Sequence, residues 1–168
     1  GVEEKYVSPP AAELARIERE QRETAAVFRR ATPLNFTLPL AAPLERLPEG
    51  GRFGARRIVN GEARSPHGGT DFKAAPGTVV YAPADGVVAL AAGQYFAGNA
   101  VYLDHGDGLV TTSNHLSRAL VEVGQVVRRG EPVALAGASG LDMLAMFPWS
   151  TPHVHYNVWL DGQPVDPF

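Results

Sequence analysis

The sequence predicts a mainly β fold, an antiparallel sheet, sandwich or barrel, entered through one N-terminal helical arm. Three observations carry this. From about Phe36 onward the apolar residues fall in short, β-rich runs rather than helical stripes. Turn residues interrupt those runs frequently. No crossover helix separates one run from the next, so neighbouring strands are joined by hairpins and run antiparallel.

The arm comes first. Residues 9 to about 30 place Leu14, Ile17, Ala25 and Phe28 on one stripe, with Glu13, Arg16, Glu18, Arg19, Glu20, Arg22 and Glu23 around the rest. Ser8 is positioned as an N-cap, Pro9 or Pro10 suits the first turn, and Pro33 stops the helix. A Pro- and Leu-rich stretch to Gly51 reads as an extended connector. We therefore divide the chain into an arm, residues 1–33, and a β domain, residues 34–168.

The strands follow in order. Thr78–Tyr81 and Gly86–Leu90 are separated by Pro83 and an Asp85-Gly86 turn. Ala100–Leu103 and Leu109–Thr112 flank Gly106-Asp107-Gly108, a strong hairpin signal. Val121–Val127 and Pro132–Ala136 come next, and His153–Leu160 then returns through Asp161-Gly162 to Gln163–Val165. There is no internal repeat.

Composition narrows the chemistry. A net charge of −3 supplies no broad basic field for nucleic acid, and no apolar run is long enough to span a bilayer. Without cysteine there are no disulfides, no thiolate metal ligands and no thiol nucleophile. Any metal must be held by His, Asp or Glu. The chain starts at Gly1 without a signal-peptide apolar region, which reads as a trimmed or mature chain.

Two groups of residues stand out. His153 and His155, separated by Val154, share one face of their strand because side chains two apart point the same way. Far upstream lies His67-Gly68-Gly69-Thr70-Asp71; were that segment a strand throughout, His67 and Asp71 would also share a face. Two histidines and a carboxylate from distant segments can hold a metal with one position open. Two half-exposed surface histidines, and an exposed His beside an Asp, are the bland alternatives. His115, after a strand, reads as a structural residue, and His105, inside the tight hairpin, as a turn residue.

Beyond these residues, Gly54–Phe168 resembles the lysostaphin/LytM-type zinc metallopeptidases, which cleave peptide cross-links in peptidoglycan. The carriers occur in order: Phe53-Gly54, Ser65–Asp71, Gly77–Val88, Leu103–Leu109, His115-Leu116-Ser117, Val123–Gly130, Pro152–His155 and Val165-Asp166-Pro167. The resemblance implies a LytM-type (duplicated hybrid motif) β-sandwich or barrel. It implies one Zn²⁺ held by His67, Asp71 and His155. His115 and His153 would flank the metal's water as base and transition-state stabiliser. The implied substrate is peptidoglycan peptide, and the implied location is the periplasm or cell envelope of an exporting cell.

The chain departs from the family pattern in two places. Ser113 stands where a tyrosine usually precedes the histidine at 115; Tyr156 and Tyr95 are candidates to replace its phenol. Residues 141–151 form a longer, more apolar link, holding both methionines and Trp149. That segment and the N-terminal helix are the candidate surfaces for a protein partner. Arg56 and Arg57 are candidates to meet peptide carboxylates, although a solvent-facing role is the plainer account. A different functional class is a non-catalytic or latent LytM-type regulator that binds and activates another wall hydrolase. Such regulators lose zinc ligands, whereas His67, Asp71 and His155 are all retained.

Overall fold

The computed structural model describes residues 9–34, 36–45, 53–55, 57–59, 62–64, 68–140 and 152–167, with backbone alone for 57–59 and 62–64. Ser8, Arg56, His67 and the 141–151 segment lie outside the described residues, as does the side chain of Arg57.

A 3-10 turn, Ala11–Glu13, leads into helix α1, Leu14–Phe28. Its Ala-, Glu- and Arg-rich sequence has high helix propensity, and Arg16 Nε donates to Glu20 Oε1 one turn on at 2.7 Å. The buried stripe differs from the expected one. Ile17, Glu20 and Val27 are buried, whereas Leu14 is exposed. Glu20 is buried at little cost because its second oxygen accepts the backbone N–H of Tyr95 at 2.9 Å. The helix ends at Phe28, short of Pro33.

The remaining elements are strands. β1 (Arg57–Val59) and β2 (Glu62–Arg64) form a separate antiparallel ribbon. The main sheet contains β3 (Thr70–Lys73), β4 (Val79–Tyr81), β5 (Gly86–Gln94), β6 (Gly98–Gly106), β7 (Leu109–Ala119), β8 (Val126–Val127), β9 (Pro132–Ala136), β10 (His153–Leu160) and β11 (Gln163–Val165). Its path runs β11-β10-β7-β6-β5-β8, with β3 on β10 and β9 joining β7 to β4. Every pairing is antiparallel, as expected, and the sheet is open rather than closed.

Turn chemistry sets the register. Asp107 and Gly108 both have positive φ (51° and 80°), as do Asp161 and Gly162 (49° and 76°), so each two-residue turn follows the right-handed strand twist. Most of the expected Val121–Val127 run is turn, with only Val126–Val127 paired. His105 is not a turn residue. It lies within β6, fully buried, with Nδ1 bonded to the Asp85 carbonyl and Nε2 to Thr111 Oγ1, each at 2.7 Å.

The two faces of the sheet have different fates. One face carries the main core, including Phe72, Val101, Leu103, Val154, Tyr156 and Val158. Connector residues cover it: Leu44 is buried there, and the Ala41 and Tyr81 N–H groups bond the carbonyls of Pro83 and Pro43. On the other face α1 packs Val27 and Phe28 over Tyr102, Val110 and Trp159. The Phe28 and Trp159 ring centroids are 4.8 Å apart. Arg30 and Thr32 then meet the Asp104 carboxylate and anchor the end of the arm. The helix covers only part of its face. Beyond it, the strands carry polar residues.

Candidate metal centre

Strand alternation places His153, His155, Asn157 and Trp159 on the α1 face of β10, and Val154, Tyr156 and Val158 on the core face. Register then selects the neighbours. His155 is directly opposite Asp71 of β3 on one side and Asn114 of β7 on the other. Directly opposed residues in an antiparallel ladder share a face, so these three groups form a row across the sheet.

Asp71 Oδ1 lies 2.7 Å from His155 Nδ1 and 3.8 Å from His153 Nε2. All three side chains retain some solvent access. The other side of the His155 ring is closed by backbone. A Cβ built on Gly69 would stand 2.7 Å from Nε2 and 2.6 Å from the Tyr156 carbonyl, so only glycine fits there.

His115 completes the cluster from β7. Its ring centroid is 5.4 Å from that of His153 and 6.2 Å from that of His155, edge-on to both. It is not a strand-end residue. It sits inside β7 with φ +60°, an uncommon left-handed conformation for a non-glycine residue. Two bonds hold it: its N–H donates to the Ala97 carbonyl at 2.7 Å, and Nδ1 meets the Ser139 carbonyl at 2.9 Å. Because a carbonyl only accepts, Nδ1 carries the proton and the neutral ring keeps Nε2 as an acceptor. Burial pushes this imidazole down to about 4, helped by neighbouring His153 and His155 and opposed by the Ser139 carbonyl and Asp71. His115 is therefore neutral at pH 7.

The predicted residues thus converge in part. Asp71, His115, His153 and His155 meet on one face, while His67 lies outside the described residues. The strand reasoning for His67 needs one correction: β3 begins only at Thr70, so strand alternation does not extend back to position 67. Among the described residues no group of three or more His, Asp or Glu side chains is arranged to hold a metal ion. The donor chemistry of those present still fits zinc, since a carboxylate oxygen and an imidazole nitrogen already face each other.

Tyr156 is excluded as a replacement for the missing phenol. Tyr156 is buried on the core face against Phe72, and its phenol cannot serve the histidine cluster. Ser113 is its cross-strand partner and faces the same core. The Tyr95 ring packs edge-on against Phe96.

Sequence reasoning missed three groups. Ser139 orients His115 through its carbonyl, while its hydroxyl bonds the Leu116 carbonyl and accepts Asn99 N–H. Asn157 reaches the loop before β3. Asn114, opposite His155 in the ladder, has a buried Oδ1 with no hydrogen-bond partner among the described residues. None carries a motif, although the period-two pattern placed Asn157 on the histidine face.

An antiparallel sheet that gathers imidazoles and a carboxylate on one face presents the donor types of a metal centre. Comparison with known proteins gives the family. The model of Peptidase family M23 matches residues 65–167, more than half of the chain, and the chain belongs to that family. It is 40% identical over 102 residues to the peptidoglycan DD-endopeptidase ShyA of Vibrio cholerae, covering 61% of this chain and 22% of that protein. The chain thus spans about a fifth of the length of the curated relatives it matches. Among solved structures it resembles a zinc-containing peptidase from Vibrio cholerae, with TM-score 0.61 and 32% identity over 82% of this chain and 39% of that one. It also resembles the catalytic domain of lysostaphin from Staphylococcus simulans, with TM-score 0.58 and 27% identity over 70% of this chain and 86% of that one.

Proposed function

We propose that this chain is a zinc-dependent endopeptidase acting on the peptide stems or cross-links of bacterial peptidoglycan. The observation that carries the reading is the meeting of Asp71, His155, His153 and His115 on one sheet face, within a chain of family M23. His155 and Asp71, joined by His67, would hold one Zn²⁺. When bound, zinc polarises the scissile carbonyl and brings the pKa of water near 7.

The chain's own residues do the rest. Asp71 and His155 fix the reacting centre against β3 and β10, two strands already bonded to each other. His153, beside Asp71, takes a proton from the attacking water. His115, with Nδ1 committed to Ser139, receives at Nε2 the proton that His153 took from the water and delivers it to the leaving amine. The left-handed backbone at His115 turns its ring out of the β7 ladder towards the pair on β10.

Relatives named as DD-endopeptidases put D,D-linked peptides first among the substrates to test. Such a substrate places the protein in the cell envelope or periplasm. Among the described residues no helix is long and apolar enough to cross a membrane. The division into an arm and a catalytic domain is part of the same reading, with α1 docked on the sheet face that carries the histidines.

The test is digestion of purified peptidoglycan by the zinc-loaded chain, beside His153→Ala and His155→Ala. Released peptide that vanishes in both variants is the expected result. Stoichiometric zinc with no cleavage of several wall chemistries overturns the enzyme reading in favour of a regulator that activates another hydrolase.

A further inference from the structure

We propose that Asn157 is a positioning residue of the metal centre, its side-chain amide holding the backbone that leads from His67 to Asp71. This rests on the zinc reading above. Asn157 lies two residues beyond His155 on the same face of β10 and is 4% exposed. A buried amide must satisfy both ends, and each end is committed. Nδ2 donates to the Gly68 carbonyl, and Oδ1 accepts from Thr112 Oγ1 at 3.4 Å. Thr112 Oγ1 in turn accepts Trp159 Nε1–H at 3.3 Å, so the amide is oriented from two directions.

The bond to Gly68 falls where the sheet stops helping. The β3–β10 register runs from Lys73 opposite His153 to Thr70 opposite Tyr156, and Gly68 and Gly69 precede it. There the Asn157 amide continues the attachment with a side chain in place of a ladder bond. Gly69 fits beneath it closely: a Cβ would lie 2.8 Å from Asn157 Nδ2 and 2.7 Å from His155 Nε2. One amide therefore touches the segment that follows His67, and that segment touches the His155 ring. Partners of this kind set metal affinity by limiting how far the ligands can drift.

Aspartate tests the donor, because it keeps the shape and presents an oxygen to the Gly68 carbonyl. Alanine removes the amide without adding a charge. Zinc affinity of full-chain Asn157→Asp and Asn157→Ala is measured by competition with a chromophoric chelator, alongside the unfolding midpoint of each zinc-free protein. The expected result is a folded variant with zinc affinity reduced by about 10- to 100-fold. Ile17→Ala, which weakens the packing of α1 eleven residues before Phe28 and away from Trp159, is expected to stay within about twofold of wild type in this assay. A folded Asn157 variant with affinity within about twofold of wild type overturns the proposal. So does a zinc loss in Ile17→Ala equal to that at Asn157, or failure of both Asn157 variants to fold. Absence of zinc binding in the wild-type chain overturns the site reading instead, and the two failures are distinguishable.

Discussion

Asp71 Oδ1 and His155 Nδ1 lie 2.7 Å apart because their residues are direct partners in the β3–β10 ladder. Eighty-four positions of sequence separate them, yet the register leaves no freedom in their approach. A one-residue slip would turn one of them to the core face. Removing the carboxylate should therefore abolish metal binding while leaving the ladder paired. Asp71→Ala is expected to lower zinc affinity by more than about 100-fold, since a ligand is lost rather than its support. Metal content after dialysis checks this; a variant retaining stoichiometric zinc would refute the ligand assignment.

Ser113 and Tyr156 make a second cross-strand pair, on the opposite face. The small serine leaves room for the buried tyrosine ring. Introducing Ser113→Tyr should overpack the core and destabilise the fold by about 1–3 kcal/mol, without raising hydrolysis. Urea unfolding and peptide release from peptidoglycan, measured together, decide between this and a phenol acting at the site.

His105 provides the pH prediction. Burial holds its imidazole below the usual value, against the opposing Asp85 carbonyl and the Asp104 and Asp85 charges. The unfolded chain then binds more protons than the folded one below about pH 6.5. The stability tied to neutral His105 is full above that pH and is lost as pH falls towards the folded-state pKa. His105→Gln should destabilise the protein by about 1–3 kcal/mol at pH 7, because both ring bonds are lost. It should also flatten the decline in urea midpoint between pH 7 and pH 5. An unchanged decline would exclude His105 as its source.

Phe28 secures the arm through contacts with Trp159 and Tyr102. Phe28→Ala should cost about 2 kcal/mol, less than a fully buried Phe because part of the residue stays in solvent. Hydrogen exchange should show faster opening of α1, with the β6–β7 ladder still protected. Equal acceleration in both would mean that the arm and the sheet unfold as one unit.

The elements were legible in proportion to how local their signals are. The Asp107-Gly108 and Asp161-Gly162 turns, the 132–136 and 153–160 strands and the helix near residue 14 all follow from neighbours in sequence. His105 was misread because Gly106 and Asp107 beside it look like turn residues, while its burial comes from Asp85 and Thr111 elsewhere in the chain. The arm's stripe was misread for the same reason: Glu20 is held by the distant Tyr95 N–H, which no helical periodicity can reveal.

By itself, the sequence determined the antiparallel class, the exclusion of thiolate chemistry, the shared face of His153 and His155, and the order of motifs belonging to family M23. Period-two alternation and residue chemistry suffice for these, since both operate over a few positions. Only tertiary structure decided that Asp71 stands opposite His155, that Ser113 and Tyr156 face away from them, and that His115 enters through a left-handed residue held by Ala97 and Ser139. It alone brought Asn157 to Gly68. Those relations depend on which strands pair and in what register, a choice made by burying the whole core at once.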